Sequence, residues 1–119
     1  MKRVLIVDDN AGFLSALWAI LVDKTDHDIV IAYSGHEYVR TKQIGGCFDH
    51  IFMDIRMPGM DGPQAVANIP PCENEKITFM TACSGDQYVQ PLRDKGYNLT
   101  KILIKPFRYK EVLEVLDEQ

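Results

Sequence analysis

Five side chains with chemical uses stand directly after apolar runs in this sequence: Asp8, Asp9, Asp54, Thr81 and Lys105. Three carboxylates in one pocket would repel one another and raise one another's pKa values unless a cation neutralised them. Carboxylate oxygens, together with a backbone carbonyl and waters, suit Mg²⁺. A metal ion, a lysine and a hydroxyl around a carboxylate can neutralise a phosphoryl group while the carboxylate attacks it in line. The product would be an acyl phosphate on an aspartate.

The apolar runs predict the strands that must bring these side chains together. The expected strands cover residues 4–7, 29–33, 50–53, 77–80 and 102–104. Continuous apolar runs of this kind suit strands buried on both faces of a parallel sheet. All strands of such a sheet end at one edge, where ligands bind. Four of the five runs end in the polar side chains named above, so the sequence predicts a single site at that edge.

Helices are expected between the strands, over residues 11–23, 36–44, 64–69, 84–95 and 109–116. Asn10 or Asp9 is placed to cap the first helix, and Gly45-Gly46 ends the second. Pro63 suits the first turn of the third helix, whereas Pro91 falls inside the fourth and is expected to kink it or delay its start. Strands alternating with helices predict a doubly wound α/β domain.

Composition limits the possible functions of the chain. With 119 residues, the sequence predicts one domain over residues 1–119, and a net charge of −4 gives no electrostatic case for binding nucleic acid or an anionic membrane. No apolar run is long enough for a membrane span, and the N-terminus does not have the pattern of a signal peptide. Cys47, Cys72 and Cys83 form neither a zinc pattern nor a CxxC motif. They are therefore expected to be reduced thiols in a cytosolic protein.

Each polar residue also has an ordinary structural interpretation. A single aspartate after a strand is most often a helix cap, Thr81 alone would be a cap or turn residue, and Lys105 alone could be a solvated strand end. Their joint placement at four strand ends favours a functional site over these separate roles. No phosphate-cradling glycine loop or dinucleotide fingerprint is found, so nucleotide binding is not expected.

The sequence resembles the receiver domains of two-component response regulators. The resemblance extends over essentially the whole chain and depends on residues 4–9, the segment Met53-Asp54-Ile55-Arg56-Met57-Pro58-Gly59-Met60-Asp61-Gly62, Thr81-Ala82 and Lys105-Pro106-Phe107. It implies a (βα)5 flavodoxin-like three-layer sandwich with a five-stranded parallel sheet in the order 2-1-3-4-5. It also implies a cytoplasmic signalling switch with slow autodephosphorylation.

The resemblance implies a role for each site residue. Asp54 would accept a phosphoryl group from a phosphohistidine on a sensor histidine kinase or phosphotransfer protein. Asp9, Asp54 and the backbone carbonyl of Arg56 would bind Mg²⁺ directly, and Asp8 would act mainly through water. Lys105 would pair with Asp54 and then with the phosphoryl oxygens, while Thr81 would donate a hydrogen bond to one of them.

Further positions would control the switch in the family that the sequence resembles. Arg56 and Cys83 would flank the path of the hydrolytic water, and Ala82 follows Thr81 in the same segment. The Lys105–Pro106 bond is expected to be cis, which proline makes inexpensive. The output would pass through the face formed by the fourth helix, fifth strand and fifth helix, to a downstream domain or protein.

The sequence departs from the family mainly on that output face. Receivers usually have Tyr or Phe three residues before the lysine, but this chain has Ile102. An aliphatic side chain cannot make the usual ring rotation, so Thr–aromatic coupling is in doubt. Tyr97 is either a substitute ring or an ordinary surface tyrosine. The segment between Gly96 and Lys105 is about two residues longer than usual.

The same residues allow two other functions. The first is a constitutive protein-interaction module that keeps the pocket but switches atypically because of Ile102. The second is a phosphatase with an aspartyl intermediate, which typically needs Asp-x-Asp after its first strand. Asp8-Asp9-Asn10 argues against this second function.

Overall fold

A computed structural model describes residues 1–82, 89–97 and 102–117 of the chain. Five parallel strands form one sheet in the order β2-β1-β3-β4-β5. The strands are β1 (Arg3–Val7), β2 (Asp28–Ala32), β3 (His50–Asp54), β4 (Lys76–Thr81) and β5 (Leu103–Ile104). The predicted α/β class and strand order are confirmed.

A helix follows each strand in the chain. The helices are α1 (Ala11–Lys24), α2 (Gly35–Gly45), α3 (Gly62–Asn68), α4 (Val89–Asp94) and α5 (Tyr109–Asp117). Pro91 lies within α4, and residues 84–88 of the predicted fourth helix are outside the described part of the chain. None of the described helices combines the length and apolar character needed to cross a bilayer.

The helices cover both faces of the sheet and form three layers. One core cluster packs α1 and α5 against side chains such as Ile6 and Phe52. The other packs α2, α3 and α4 against side chains such as Leu5 and Met53. Because neighbouring residues of a strand point to opposite faces, a strand buried on both sides is apolar throughout. This explains the continuous apolar runs in the sequence.

Local capping sets where the helices next to the site begin. The Asn10 side chain accepts a hydrogen bond from the Phe13 amide at 3.0 Å and caps α1. Asp61 caps α3 through a capping box with Gln64, and the helix begins at Gly62. This start lies two residues before residue 64, because Asp61 is the N-cap, and Pro63 lies in the first turn as predicted.

The prediction that all the cysteines are reduced is wrong for two of them. Cys47 and Cys72 form a disulfide with a Cα–Cα distance of 6.1 Å, although they lie 25 residues apart in sequence. Cys47 precedes β3 and Cys72 precedes β4, and these two strands are neighbours. The loops that enter neighbouring parallel strands meet at the amino edge of the sheet, so the fold brings the sulfurs together. Cys83 lies outside the described residues.

Candidate functional site

The site lies where the sheet topology changes direction. The chain runs outward from β1 to β2 and then crosses to the other side of β1 to form β3. Crevices form at the carboxyl ends of the strands at such a switch point. Val7 is paired with Met53 in the register of β1 and β3, so Asp8 and Asp54 emerge side by side.

Three carboxylates gather in this crevice. Asp8, Asp9 and Asp54 each offer an oxygen that lies within 4.8 Å of those of the other two. Asp8 is fully buried and Asp54 is 4% exposed, whereas Asp9 faces solvent. Buried carboxylates need positive partners, because desolvation of an unpaired charge is costly.

Asp8 has only part of its bonding capacity filled. One carboxylate oxygen, Oδ1, accepts a hydrogen bond from the Asn10 amide at 2.9 Å. The other, Oδ2, lies 2.5 Å from Lys105 Nζ, close enough for an ion pair. Apart from this contact with Lys105, Oδ2 has no hydrogen-bond donor within the described residues. Each carboxylate oxygen can accept more than one bond, so Asp8 can still bind a further electropositive group.

Lys105 is the cation that the fold places in the crevice. Its amide donates a hydrogen bond to the Thr81 carbonyl at 2.8 Å, and its Nζ lies 3.3 Å from Asp54 Oδ2. The Lys105–Pro106 peptide bond is cis. Burial alone would lower the pKa of Lys105, but the close contact with the Asp8 carboxylate and the charges of Asp54 and Asp8 outweigh it and raise the pKa. Lys105 is thus held as a cation.

One lysine does not balance the three acidic groups. Burial, and then the charge of Asp8, raise the pKa of Asp54 from 3.8 to about 7, although Lys105 opposes this shift. The charged form of Asp54 is therefore unfavourable near neutral pH without an additional positive charge.

The residues of the crevice fit a divalent cation. The donor set consists of carboxylate oxygens, one buried Asp8 oxygen has no hydrogen-bond donor besides its Lys105 contact in the described part of the chain, and burial followed by the charge of Asp8 raises the pKa of Asp54. Oxygen-only ligation with room for waters is what Mg²⁺ prefers. Asp8, Asp9 and Asp54 are the side chains that would hold it.

The other predicted site residues differ in burial and in their position relative to the strand ends. Thr81 is buried at the end of β4 and pairs with Ile104 in the register of β5. Arg56 follows Asp54 by two residues and is exposed, as is Ala82. The ligand role of the Arg56 carbonyl stays a prediction. Ile102 is half-buried beside the core cluster that contains Phe79.

A tight turn fixes the backbone directly after Asp54. The Gly62 amide donates a hydrogen bond to the Ile55 carbonyl at 2.8 Å. A Cβ atom at Gly62 would lie 2.3 Å from the Asp54 carbonyl oxygen, far inside contact distance. Only glycine allows α3 to start this close to the strand. The segment after Asp54 is therefore folded back against the carboxylate's own backbone.

Two aromatic rings near Lys105 were not predicted from the sequence as part of the site. The Phe13 ring, in the first turn of α1, lies 5.3 Å from Lys105 Nζ and makes an edge-to-face contact with Phe107. A ring face near an ammonium group stabilises the cation and limits its mobility. The available signal was the position of Phe13, one turn after Asp8-Asp9-Asn10.

Comparisons with known proteins agree with this geometry. A family model described as "Response regulator receiver domain" matches residues 4–117. The chemotaxis protein CheY of Listeria monocytogenes is 33% identical over 120 residues, which cover 99% of this chain and 98% of CheY. A CheY of Borrelia burgdorferi, solved as a CheX-CheY-BeF3-Mg²⁺ complex, has 26% identity and a TM-score of 0.75, covering 98% of this chain and 87% of that one.

Longer proteins also contain a similar segment. The histidine-protein kinase BarA of Shigella flexneri is 33% identical over 115 residues, which cover 95% of this chain but only 12% of BarA. The chain therefore spans a small part of the length of the kinases that it matches.

Proposed function

The chain belongs to the response regulator receiver family, and on that premise we propose that Asp54 accepts a phosphoryl group from a phosphohistidine in an Mg²⁺-dependent reaction. The observation that carries the proposal is the excess negative charge around Asp54. This side chain is buried, lies 3.3 Å from Lys105 and shares its crevice with two further carboxylates. The phosphorylated protein would act as a signalling switch with slow autodephosphorylation.

Two findings support Mg²⁺ as the cofactor. The first is the incomplete bonding of the buried Asp8 carboxylate, described above. The second is the similar protein from Borrelia burgdorferi, whose complex contains Mg²⁺. When bound, the ion would neutralise the carboxylates and the phosphoryl oxygens. Asp9, Asp54 and the Arg56 carbonyl would be direct ligands, with Asp8 acting mainly through water.

The reaction transfers one phosphoryl group between two side chains. An Asp54 carboxylate oxygen attacks phosphorus as the bond from phosphorus to the histidine nitrogen breaks, and the electron pair leaves with the imidazole. Lys105, already beside Asp54, pairs with the developing charge on the phosphoryl oxygens. The Thr81 hydroxyl donates a hydrogen bond to one of them. Water later attacks phosphorus, the bond from phosphorus to the Asp54 oxygen breaks, and inorganic phosphate leaves as the carboxylate is restored. Arg56 and Cys83 would tune the access of this water.

The output is proposed to pass through the face that contains α4, β5 and α5. Ile104 is 45% exposed on the edge strand β5, which leaves an apolar side chain open to a partner on this face. Tyr97 packs edge-to-face against Phe79 with 5.6 Å between ring centroids, and Ile102 joins the same cluster. We propose that this cluster, rather than a ring at position 102, transmits phosphorylation to the output face.

The proposed function also includes the partners, the cellular location and the extent of the domain. The partners would be a sensor histidine kinase or phosphotransfer protein and a downstream domain or protein, with no direct nucleic acid binding and no membrane contact by residues 1–119. The cytoplasm is the proposed location. Residues 1–119 would act as one receiver unit.

The test is incubation with acetyl phosphate or phosphoramidate, with and without Mg²⁺, followed by intact-mass measurement. We expect one phosphoryl adduct that requires Mg²⁺ and disappears in Asp54→Asn. The matched control is Asp26→Asn, which removes an exposed carboxylate in the α1–β2 loop and should leave the adduct unchanged. No adduct, or full yield in Asp54→Asn, would contradict the proposal.

The alternative is a constitutive interaction module, which the exposed apolar Ile104 would also serve. Partner affinity measured with and without phosphorylation separates the two functions. A switch predicts a change in affinity, whereas a constitutive module predicts equal affinities.

A further inference from the structure

A buried ion pair lies at the amino edge of the sheet, opposite the Asp54 crevice. The Lys42 ammonium of α2 bonds both carboxylate oxygens of Glu75, and these side chains are 2% and 0% exposed. Lys42 Nζ also lies 3.7 Å from Cys72 Sγ, within hydrogen-bond distance for sulfur. An ammonium group has three donors, and these contacts use all three.

The same carboxylate holds the two loops that carry the disulfide. Glu75 Oε2 accepts a hydrogen bond from the Phe48 amide at 2.6 Å, next to Cys47. Glu75 Oε1 accepts one from the Cys72 amide at 3.1 Å. The α2–β3 and α3–β4 loops are therefore joined by Glu75 as well as by the disulfide. Contacts independent of the sulfur–sulfur bond would keep the cysteines close after reduction.

The disulfide is open to small reagents. Cys47 is exposed and Cys72 is half-buried, and both line a groove of about 370 Å³ together with Arg3, Asp49 and Glu73. Disulfides persist in oxidising compartments, and in reducing ones they usually serve redox sensing or catalysis. If the protein is cytoplasmic, as in the proposed function, a permanent structural bond would be unusual.

We propose that Cys47 and Cys72 form a reversible thiol–disulfide exchange site, operated by low-molecular-weight thiols and disulfides of the glutathione class. The geometry and accessibility above carry this inference without any reference to Asp54 chemistry. Only the compartment consideration depends on the proposed function.

The exchange balances with two external thiols. An external thiolate attacks the sulfur of the exposed residue Cys47, the Cys47–Cys72 bond breaks, and its electron pair leaves on Cys72 as a thiolate. A second external thiolate then attacks the external sulfur of the mixed disulfide and releases Cys47. The net products are one protein dithiol and one external disulfide. Oxidation reverses these steps, and Cys72 is then the attacking thiolate.

Lys42 gives Cys72 this role. A hydrogen bond from an ammonium group stabilises a thiolate over a thiol, which makes the sulfur both a better leaving group and a more available nucleophile. Cys47 has no such contact among the described residues. The two cysteines therefore have different roles. Cys47 is the sulfur that an external thiolate attacks, whereas Cys72 is the leaving group during reduction and the nucleophile during oxidation.

The first test equilibrates the folded 119-residue chain in a series of reduced and oxidised glutathione ratios. Acid quenching, alkylation and trypsin digestion place each cysteine on its own peptide: 43–56, 57–76 and 77–93. We expect the first two peptides to convert together and reversibly between linked and alkylated forms, while thermal unfolding stays cooperative. A bond that opens only in denaturant, or whose reduction unfolds the chain, would overturn the proposal. Asp54→Asn should behave identically, which separates this outcome from any failure of phosphorylation.

The second test measures the role of Lys42. In Cys47→Ser, iodoacetamide alkylation of Cys72 is followed against pH on peptide 57–76. Adding Lys42→Met with Glu75→Gln, which removes the whole ion pair, should raise the pH midpoint and slow alkylation at neutral pH about tenfold. Lys42→Arg should keep the midpoint because it keeps the cation. Equal midpoints in all three backgrounds would show that Lys42 does not activate Cys72. If the double variant does not fold, the glutathione series decides the proposal, since a disulfide that opens only in denaturant would overturn it.

Discussion

A buried lysine and a partly buried lysine contact carboxylates at opposite edges of the sheet, and the clusters differ in whether their charges balance. At the amino edge, Lys42 faces Glu75, and both carboxylate oxygens also accept backbone hydrogen bonds. At the carboxyl edge, Lys105 faces both Asp8 and Asp54, with Asp9 nearby, so one ammonium group is shared among three carboxylates.

The difference separates a structural pair from a binding site. The Lys42–Glu75 pair has balanced charges and filled bonds, so it does not attract a cation; it fixes two loops and places an ammonium group beside Cys72. A cluster with surplus negative charge carries a cost in free energy that a bound cation relieves. The raised pKa of Asp54 reports that cost. Removing a carboxylate charge should therefore destabilise the chain at the Lys42–Glu75 pair and stabilise it at Asp54.

The largest expected effect is at the balanced cluster. Glu75→Gln leaves the Lys42 ammonium buried without a counter-charge, and breaking such a pair typically lowers the free energy of unfolding by about 3–5 kcal/mol. Urea unfolding with the disulfide intact measures the loss. Glu73→Gln, a neutralisation at an exposed position two residues away, is the matched control and should change little. Equal effects of the two variants would mean that the buried pair contributes nothing specific.

The second prediction concerns Mg²⁺ at the unbalanced cluster. A cation at about 100 times its dissociation constant stabilises the folded chain by about 2.7 kcal/mol. The pKa of Asp54 is about 7 without metal, so binding below that pH must displace a proton. Thermal shift with Mg²⁺ should therefore be large at about pH 8 and small at about pH 5. If the thermal shift caused by Mg²⁺ did not change with pH, the ion would be binding at a site other than Asp54.

The third and smallest effect is a gain in stability. The pKa of Asp54 is raised from 3.8 to about 7, so the folded chain keeps a proton in this interval that the unfolded chain has lost. Its contribution to stability is complete below the unfolded value and is lost as pH rises through about 7. Asp54→Asn removes this cost, and without Mg²⁺ it should stabilise the chain at about pH 8 by about 0.5–2 kcal/mol.

Two comparisons check this third prediction. Asp54→Asn should bring no gain near about pH 4, where the wild-type carboxyl is also neutral. Asp26→Asn should bring none at either pH, because Asp26 is exposed. Destabilisation by Asp54→Asn at about pH 8 would contradict this prediction. It would show that the attraction between Lys105 and the Asp54 charge outweighs the repulsion between Asp8 and Asp54.

The carboxyl edge could be predicted from sequence because strand ends determine it. Asp8, Asp54, Thr81 and Lys105 each follow an apolar run, and a parallel sheet brings the ends of such runs together whatever their separation in sequence. The capping of α1 by Asn10 was also anticipated, since the signal lies within four residues. The sequence did not reveal that Asp8 would be fully buried while Asp9 is exposed.

The amino edge could not be predicted in the same way. Cys47 and Cys72 lie in loops, and their pairing depends on where two connections run after the sheet has formed. Lys42 did leave a signal, because it follows the buried Tyr38 by four residues and so shares its helix face. A charge on that face requires a buried partner, but the spacing does not indicate Glu75 in a distant loop.

At the carboxyl edge of the sheet, we expect Asp54 and no other carboxylate to accept the phosphoryl group. Borohydride reduction of the phosphorylated protein converts an aspartyl phosphate to homoserine, and tryptic mapping then locates it. Asp8 and Asp9 fall on peptide 4–24, whereas Asp54 falls on peptide 43–56. We predict Mg²⁺-dependent conversion at Asp54 alone. Conversion of Asp8 or Asp9, or of Asp54 at equal yield without Mg²⁺, would contradict it.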